Sequence, residues 1–511
     1  MERNMQGKAM RSREVSWGFL IVLFIWAAGM AAVLGPMKTL ERQNDAMAYD
    51  QFTWVGPLLT WQGPAFTSLE ISGHASQRQT IALSCGTGPA TERRLNPGYF
   101  TLNYSAQQQC AGSDFRITSD FRLVPGEQTG SNDLRELSYQ IGIVIVDGRP
   151  VSLNEFIGMT RGTYGVEPHF GRVTAKQVLS STWDSMWYWR IAAQGYAFDG
   201  NSSVQQTVAW PFLYPYLGKA AAAGFGLPTA EALLLVSALA CLAALAALFL
   251  LGHALGLSLG LALLGPLWLA FNPFSVFLYG GFSESLFVLL FASATILTVY
   301  RRWWLAALVI AALTATRFVG ALAVFPLIAH WLVCHARQRT LVRCAVMIVA
   351  FGSIAALGVL ADVLVKWQAT GEPLAAFLIR SAWEVTALSE FANVLRLDLL
   401  FAGEYLPLLW WPVLVIAMAL GVGIVLVREG SYLAAVVVAS GLLMVLATWI
   451  LNPELQSLGR YSLPLAIAVV GMLAWPPLRN RTAPAATVLT VSGAGFIGLV
   501  ANRFYFGLPP F

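Results

Sequence analysis

The sequence predicts a polytopic α-helical membrane protein with an inserted extracytoplasmic β-sandwich domain. Three observations predict it. Of 511 residues, 57% are hydrophobic and only 12% are charged, against roughly 25% charged in soluble domains. From residue 229 onward, apolar runs of helix length follow one another. One polar block, 37–155, alternates apolar and polar residues at period two instead. In such a chain a net charge of +5 reports basic cytoplasmic loops and excludes nothing so clearly as nucleic-acid binding.

The first element is an anchor at 1–36. Arg3, Lys8, Arg11 and Arg13 precede the apolar run "WGFLIVLFIWAAGMAAVLG" at 17–35. The run exceeds the about 7–15 apolar residues of a secretory leader, so a retained span with its N-terminus inside is expected. A cleaved leader is the competing reading, since "AAGMAA" offers small residues.

The β block comes next. "TIALSC", "YFTLNY" and "DFRITSDFRL" each place apolar residues two apart, the period of a half-buried strand. Asp147-Gly148 closes a strand with a strong hairpin signal. Cys85 and Cys110 lie in this block and pair as a disulfide if it is exported; two separate thiols are the alternative. Cys241, Cys334 and Cys344 lie in or beside apolar helices, where a thiol acts as a small hydrophobe.

Residues 156–228 read as a first outer loop with interfacial helices, and 229–511 as a helix bundle. Apolar helices are expected near 230–251, 256–272, 283–300, 303–316, 318–334, 343–365, 406–427, 432–451, 462–475 and 484–500. With the anchor that makes about eleven spans, several shorter than the ~20 residues of a perpendicular crossing. The hairpin 303–335 reads either as two spans or as one span plus a re-entrant piece.

Basic residues orient the bundle. Arg301 and Arg302, Arg337, Arg339 and Arg343, Arg428, and Arg479 and Arg481 fall on alternate turns, which go inside. Arg317 and Arg460 break this rule, lying at outer helix ends in apolar sequence. Charges at such positions are usually functional or paired. Pairing with Glu284 or Glu454 is the plainer alternative.

The stretch "STWDSMWYWRIAAQGY" (181–196) carries a lone carboxylate in an aromatic belt. Asp184, Tyr188 and Ala192 share one helical face, and Trp183, Trp187 and Ile191 the adjacent one. Trp and Tyr favour the membrane–water interface, so a helix over 176–194 lying on the outer surface is expected, ended by Gly195 as a C-cap. Asp184 is placed to serve as this helix's N-cap, as a working carboxylate, or as both.

From here the chain resembles the PIG-V family, which includes the second mannosyltransferase of GPI-anchor synthesis and bacterial relatives. "WDSMWYWRIAAQGY" with "WPFLYPYL" (210–217) is similar to that family's first outer-loop signature. "NPFSVFLYGGFSESLF" (272–287), "TATRFVG" (314–320), "TGEPLAAF" (370–377) and "GRYSLP" (459–464) resemble its later segments, in the same order. The resemblance covers roughly 176–475, and the β block lies outside the family pattern. It implies a GT-C glycosyltransferase that takes sugar, usually mannose, from a polyprenyl-phosphate donor. Asp184 then holds the position of the catalytic carboxylate. One positioned carboxylate accepting a proton in the transition state contributes roughly 10²–10⁴-fold. Arg317 and Arg460 are the candidate donor-phosphate contacts. Trp187, Tyr188, Glu284 and Tyr461 are further candidate substrate contacts. The expected partners are the lipid-linked donor, a glycan, lipid or protein acceptor, and the bilayer itself. The implied location is a bacterial inner membrane with the site on its periplasmic face.

Other residues read as structural. Ser283 is placed to cap a helix whose first turn holds Glu284. Asp199 in "YAFDG" reads as a turn aspartate, His169 as a solvated loop histidine. Asp362 sits four residues before Lys366, as a local ion pair does. No P-loop, strand-borne GxGxxG or metal cluster appears, which disfavours a nucleotide-sugar donor and leaves no cofactor predicted, though a divalent metal stays open. A transporter or flippase of lipid-linked sugars is the alternative function. It lacks the paired broken helices of internally repeated transporters.

Overall fold

The computed structural model describes residues 12–45, 51–110, 114–124, 136–168, 174–201, 205–335, 339–379, 406–451, 458–475 and 490–501, less single positions 76, 87, 97, 123 and 492. His169, Arg337, Glu454, Arg479, Arg481 and the segment 380–405 lie outside the described residues. The chain divides into two compact units, Lys38–Thr174 and the remainder, Met1–Met37 with Ala175–Phe511.

The smaller unit is an antiparallel sheet of nine strands: β1 (Gln51–Trp61), β2 (Phe66–Ala75), β3 (Gln79–Cys85), β4 (Thr91–Leu95), β5 (Gly98–Cys110), β6 (Phe115–Ser119), β7 (Tyr139–Val146), β8 (Arg149–Val151) and β9 (Thr160–Pro168). The period-two signal becomes alternating burial: Ile81 and Leu83 on β3 face inward between part-exposed neighbours. On β2 the pairing shifts between Phe66 and Ser68. That irregularity lets both Phe66 and Leu69 reach the core, although they stand an odd number of positions, three, apart in sequence. Phe66 meets Trp61 and Phe115 edge-to-face, each at 5.1 Å. Asp147 and Gly148 both take positive φ, 47° and 77°, as a two-residue hairpin turn requires. The Asp147 carboxylate accepts the Thr67 and Ser68 backbone N–H groups at 2.8 Å. Those bonds and the Thr67 hydroxyl, which contributes most, hold its carboxyl below the usual carboxylate range. Cys85 and Cys110 are joined as a disulfide.

Two expectations are corrected here. The two sheets of a sandwich are fused. One edge of β1 pairs with β7 at Thr53–Val55 and with β6 at Leu58–Thr60, while β9 takes its other edge. One shared strand therefore joins both leaves. The unit also runs past residue 155. A short helix, Leu153–Gly158, capped by the Ser152 hydroxyl, leads into β9, which pairs with β1. Composition drew the boundary too early because β9 carries little apolar sequence.

The larger unit is helical. Among the described residues of the chain, five helices are long and apolar enough to cross a membrane: Glu14–Leu40, Thr229–Ala254, Phe318–His335, Leu341–Thr370 and Trp411–Arg428. Length alone does not reach the expected count of about eleven. Leu259–Ala270, Glu284–Val299 and Trp303–Thr316 are apolar but shorter, below the ~20 residues of a full crossing, whereas the apolar helix Tyr432–Leu451 has 20 residues. Asn272-Pro273 stops the first of these, as proline disfavours helix in the residue before it. Phe318–Ala323 winds as a 3₁₀ turn before the helix Val324–His335.

Candidate functional site

Residues 176–194 do not form one helix. Helix Ala175–Ser181 ends, Trp183 takes φ 54°, and a second helix runs Asp184–Gln194. A positive φ at a bulky residue costs of order 1–3 kcal/mol, and here it sits immediately before Asp184. Trp183 occupies the cap position and makes no side-chain capping bond. Asp184 is the first helical residue, so it does not occupy the cap position considered for it. Gly195 ends the helix with φ 86° and donates its N–H to the Ile191 carbonyl.

Asp184 pairs with Arg460. Arg460 sits on the short helix Leu458–Tyr461, which approaches the 272–275 segment closely. A Cβ on Gly459 would lie 2.1 Å from the Phe274 ring, so glycine is required there. Arg460 Nε lies 3.8 Å from Glu284 Oε1, and the same oxygen accepts from Arg317 Nη1 at 2.6 Å. Tyr461 lies between the two guanidinium groups, 4.6 Å from that of Arg317 and 4.8 Å from that of Arg460, and its hydroxyl accepts from Arg460 Nη2 at 2.8 Å. Phe277 faces the Arg460 guanidinium at 5.7 Å. Asp184, Glu284, Arg317, Arg460 and Tyr461, drawn from four distant parts of the chain, therefore meet at one place.

All four charged side chains are largely buried: 15% exposed for Asp184, 5% for Glu284, 16% for Arg317 and 8% for Arg460. Burial pushes the Asp184 carboxyl above the usual range, with the Arg460 charge opposing it. Two buried atoms of the cluster, Glu284 Oε2 and Arg460 Nε, have no hydrogen-bond partner. A small cavity of about 20 Å³, room for one water, is lined by Glu284, Arg317, Arg460 and Tyr461 together with Phe287 and Val288.

The other sequence candidates fall elsewhere. Tyr188 is 2% exposed, packed between the Trp210 ring at 5.4 Å and the Tyr214 ring at 4.9 Å. Its hydroxyl meets the Ser283 hydroxyl at 2.8 Å. Tyr188 thus packs within the joint formed by these aromatic rings. The same bond corrects the expected Ser283 cap, since Ser283 makes no side-chain capping bond to helix Glu284–Val299. Instead it ties that helix's start to helix Asp184–Gln194. Gly281 donates its N–H to the Leu179 carbonyl at 2.8 Å in the same joint. Trp187 is half-buried beneath the Arg190 guanidinium at 5.1 Å.

Asp199 accepts from Asn201 N at 2.8 Å and Gln206 Nε2 at 2.6 Å. These bonds close a turn and hold its carboxyl below the usual range, the Asn201 bond most of all. Asp362 and Lys366 form the expected ion pair at 2.5 Å, 0% and 1% exposed. Sequence reasoning missed its second partner, the Phe212 backbone N–H at 2.9 Å. No local signal links residues 212 and 362. Among the described residues no three His, Cys, Asp or Glu side chains gather as metal ligands.

Fold and site together define a class: a mostly helical chain with helices long and apolar enough to cross a membrane, a separate antiparallel β domain, and a buried cluster of two carboxylates and two arginines. No family model, curated protein or solved structure matches the chain.

Proposed function

We propose that this chain is an integral membrane glycosyltransferase of the GT-C kind. It moves a sugar, mannose by the family resemblance, from a polyprenyl-phosphate donor to an extracytoplasmic acceptor with inversion. One observation carries the reading: a part-exposed carboxylate, Asp184, stands against Arg460 in a cluster that also contains Arg317. A base beside guanidinium groups is what transfer from a lipid phosphate needs. The acceptor hydroxyl attacks the anomeric carbon and gives its proton to Asp184. The leaving phosphate gains charge, which arginine stabilises through charge-assisted hydrogen bonds. Inversion follows from one direct displacement with no covalent sugar–enzyme intermediate.

The long apolar helices support a bilayer setting, and basic turns at Arg301, Arg302, Arg343 and Arg428 support a site on the opposite, extracytoplasmic face. A bacterial inner membrane fits this placement. The acceptor is a glycan, lipid or protein hydroxyl.

The test is transfer by purified membranes supplied with radiolabelled polyprenyl-phosphate mannose. Wild type is expected to release labelled product, and Asp184→Asn to lose at least about 10²-fold in rate. Movement of labelled lipid across the bilayer with no covalent product would favour a flippase instead. Substantial turnover by Asp184→Asn would remove Asp184 as the base.

A further inference from the structure

Arg317 and Arg460 are not equivalent. Arg317 is matched to Glu284 at 2.6 Å, and that carboxylate is 5% exposed. Arg460 is matched to Asp184, the more exposed of the two carboxylates at 15%. The Arg460 Nε is buried without a hydrogen bond and reaches Glu284 Oε1 only as a long ion pair of 3.8 Å. The cavity beside it is lined by both arginines. The proposed base and this incompletely hydrogen-bonded guanidinium thus belong to one ion pair.

We propose that Arg460 changes partners during the reaction, leaving the Asp184 carboxylate for the donor's phosphate as Asp184 takes the acceptor's proton. This deepens, and rests on, the transferase reading. The step balances. The acceptor O–H bond breaks and its proton goes to Asp184. The oxygen forms a bond to the anomeric carbon. The bond from that carbon to the phosphate oxygen breaks, and its electron pair stays on the phosphate.

Charge explains why one cation serves both groups. Two arginines face two carboxylates, so the cluster by itself is neutral. A polyprenyl-phosphate sugar is a phosphodiester with one negative charge, and its leaving phosphate monoester carries a second. Asp184 loses one negative charge on protonation at the moment the phosphate gains one. Net charge in the buried site is unchanged, and only its position moves. A cation already paired to the base then meets the growing charge without a new desolvation cost. Tyr461 holds the guanidinium plane through its hydroxyl and ring, and the planar fork suits a phosphate as well as a carboxylate. The charged and titratable groups around Asp184 are Arg460, Glu284 and Arg317, with Tyr188 one turn along the helix.

The consequence is competition: the Asp184 carboxylate and a lipid phosphate contend for Arg460. The probe is the product, polyprenyl phosphate, with affinity measured on the full chain in detergent. Asp184→Asn is expected to bind it about tenfold tighter than wild type, a coupling ordinary for contacting charged groups. Arg460→Gln is expected to bind it more weakly, and Asp184→Asn to give no gain in that background. Equal or weaker binding by Asp184→Asn, or an undiminished gain in the Arg460→Gln background, overturns the exchange. Should Asp184→Asn fail to fold, wild type answers through pH. A polyprenyl methyl phosphodiester has fixed charge, so its affinity rises with falling pH if protonation of Asp184 releases Arg460. A flat profile overturns the proposal. Wild type that binds polyprenyl phosphate competitively with Asp184 yet transfers no sugar sinks the transferase reading and leaves the competition standing.

Discussion

Asp184 concentrates the chemistry at the residue scale. Its carboxyl is raised above the usual range by burial and drawn back by Arg460. As the proposed base, Asp184 must be ionised, so the proposed transfer is expected to slow as pH drops through that raised value. The acidic limb of the kcat/KM profile is therefore expected above the ordinary aspartate value of about 3.9. A limb at or below it would mean that another group titrates. Tyr188 makes the contrasting case. Its single hydroxyl bond to Ser283 joins two buried side chains, so Tyr188→Phe is expected to cost about 1 kcal/mol and to leave KM unchanged. A raised KM with an unchanged thermal midpoint would return Tyr188 to the substrate. The two residues lie one helical turn apart and the sequence offered both as site candidates. Burial separates their roles.

At the scale of elements, the sheet was legible because its period is local. Apolar residues at every second position specify one buried face, and Asp147-Gly148 specifies the turn. The end of the domain was not legible, since β9 is recruited by hydrogen bonds to β1 across about a hundred residues. Cys85 and Cys110 close a loop between β3 and β5 with a sequence separation of 25. Replacing both by serine is expected to lower the β domain's stability by roughly 3 kcal/mol, largely through the freed unfolded chain. Urea unfolding followed by tryptophan fluorescence measures it, and an unchanged midpoint would refute it. The break at Trp183 is the opposite kind of element. Nothing in the run "SSTWDS" announces a positive φ, and two helices stand where periodicity predicts one. The Thr182 carbonyl instead accepts from Ser185 N at 3.2 Å, which restarts the helix at Asp184.

For the whole molecule, polar groups buried among apolar helices hold distant segments together. The Asp362–Lys366 pair stabilises the long helix Leu341–Thr370 internally and also anchors residue 212 through its backbone N–H. Lys366 Nζ further lies 5.5 Å from the Tyr196 ring and 5.4 Å from the Phe318 ring. Asp362→Ala leaves a buried ammonium unpaired and is expected to cost about 3–5 kcal/mol. The double change Asp362→Leu with Lys366→Met is expected to cost less than that single one. Thermal unfolding in detergent compares them, and a double variant less stable than Asp362→Ala would contradict this account.

The sequence alone determined what depends on neighbours along the chain. Hydrophobic period set strands apart from helices, and apolar length marked the long spans. The four charged candidates stood out because charge in apolar sequence is costly and therefore conspicuous. Which carboxylate meets which arginine was decided only by tertiary structure. Residues 184, 284, 317 and 460 share no sequence neighbourhood, and an ion pair forms wherever packing brings opposite charges within reach. The chain shows that Asp184 carries a carboxylate into an aromatic helix. The fold places Arg460 against it.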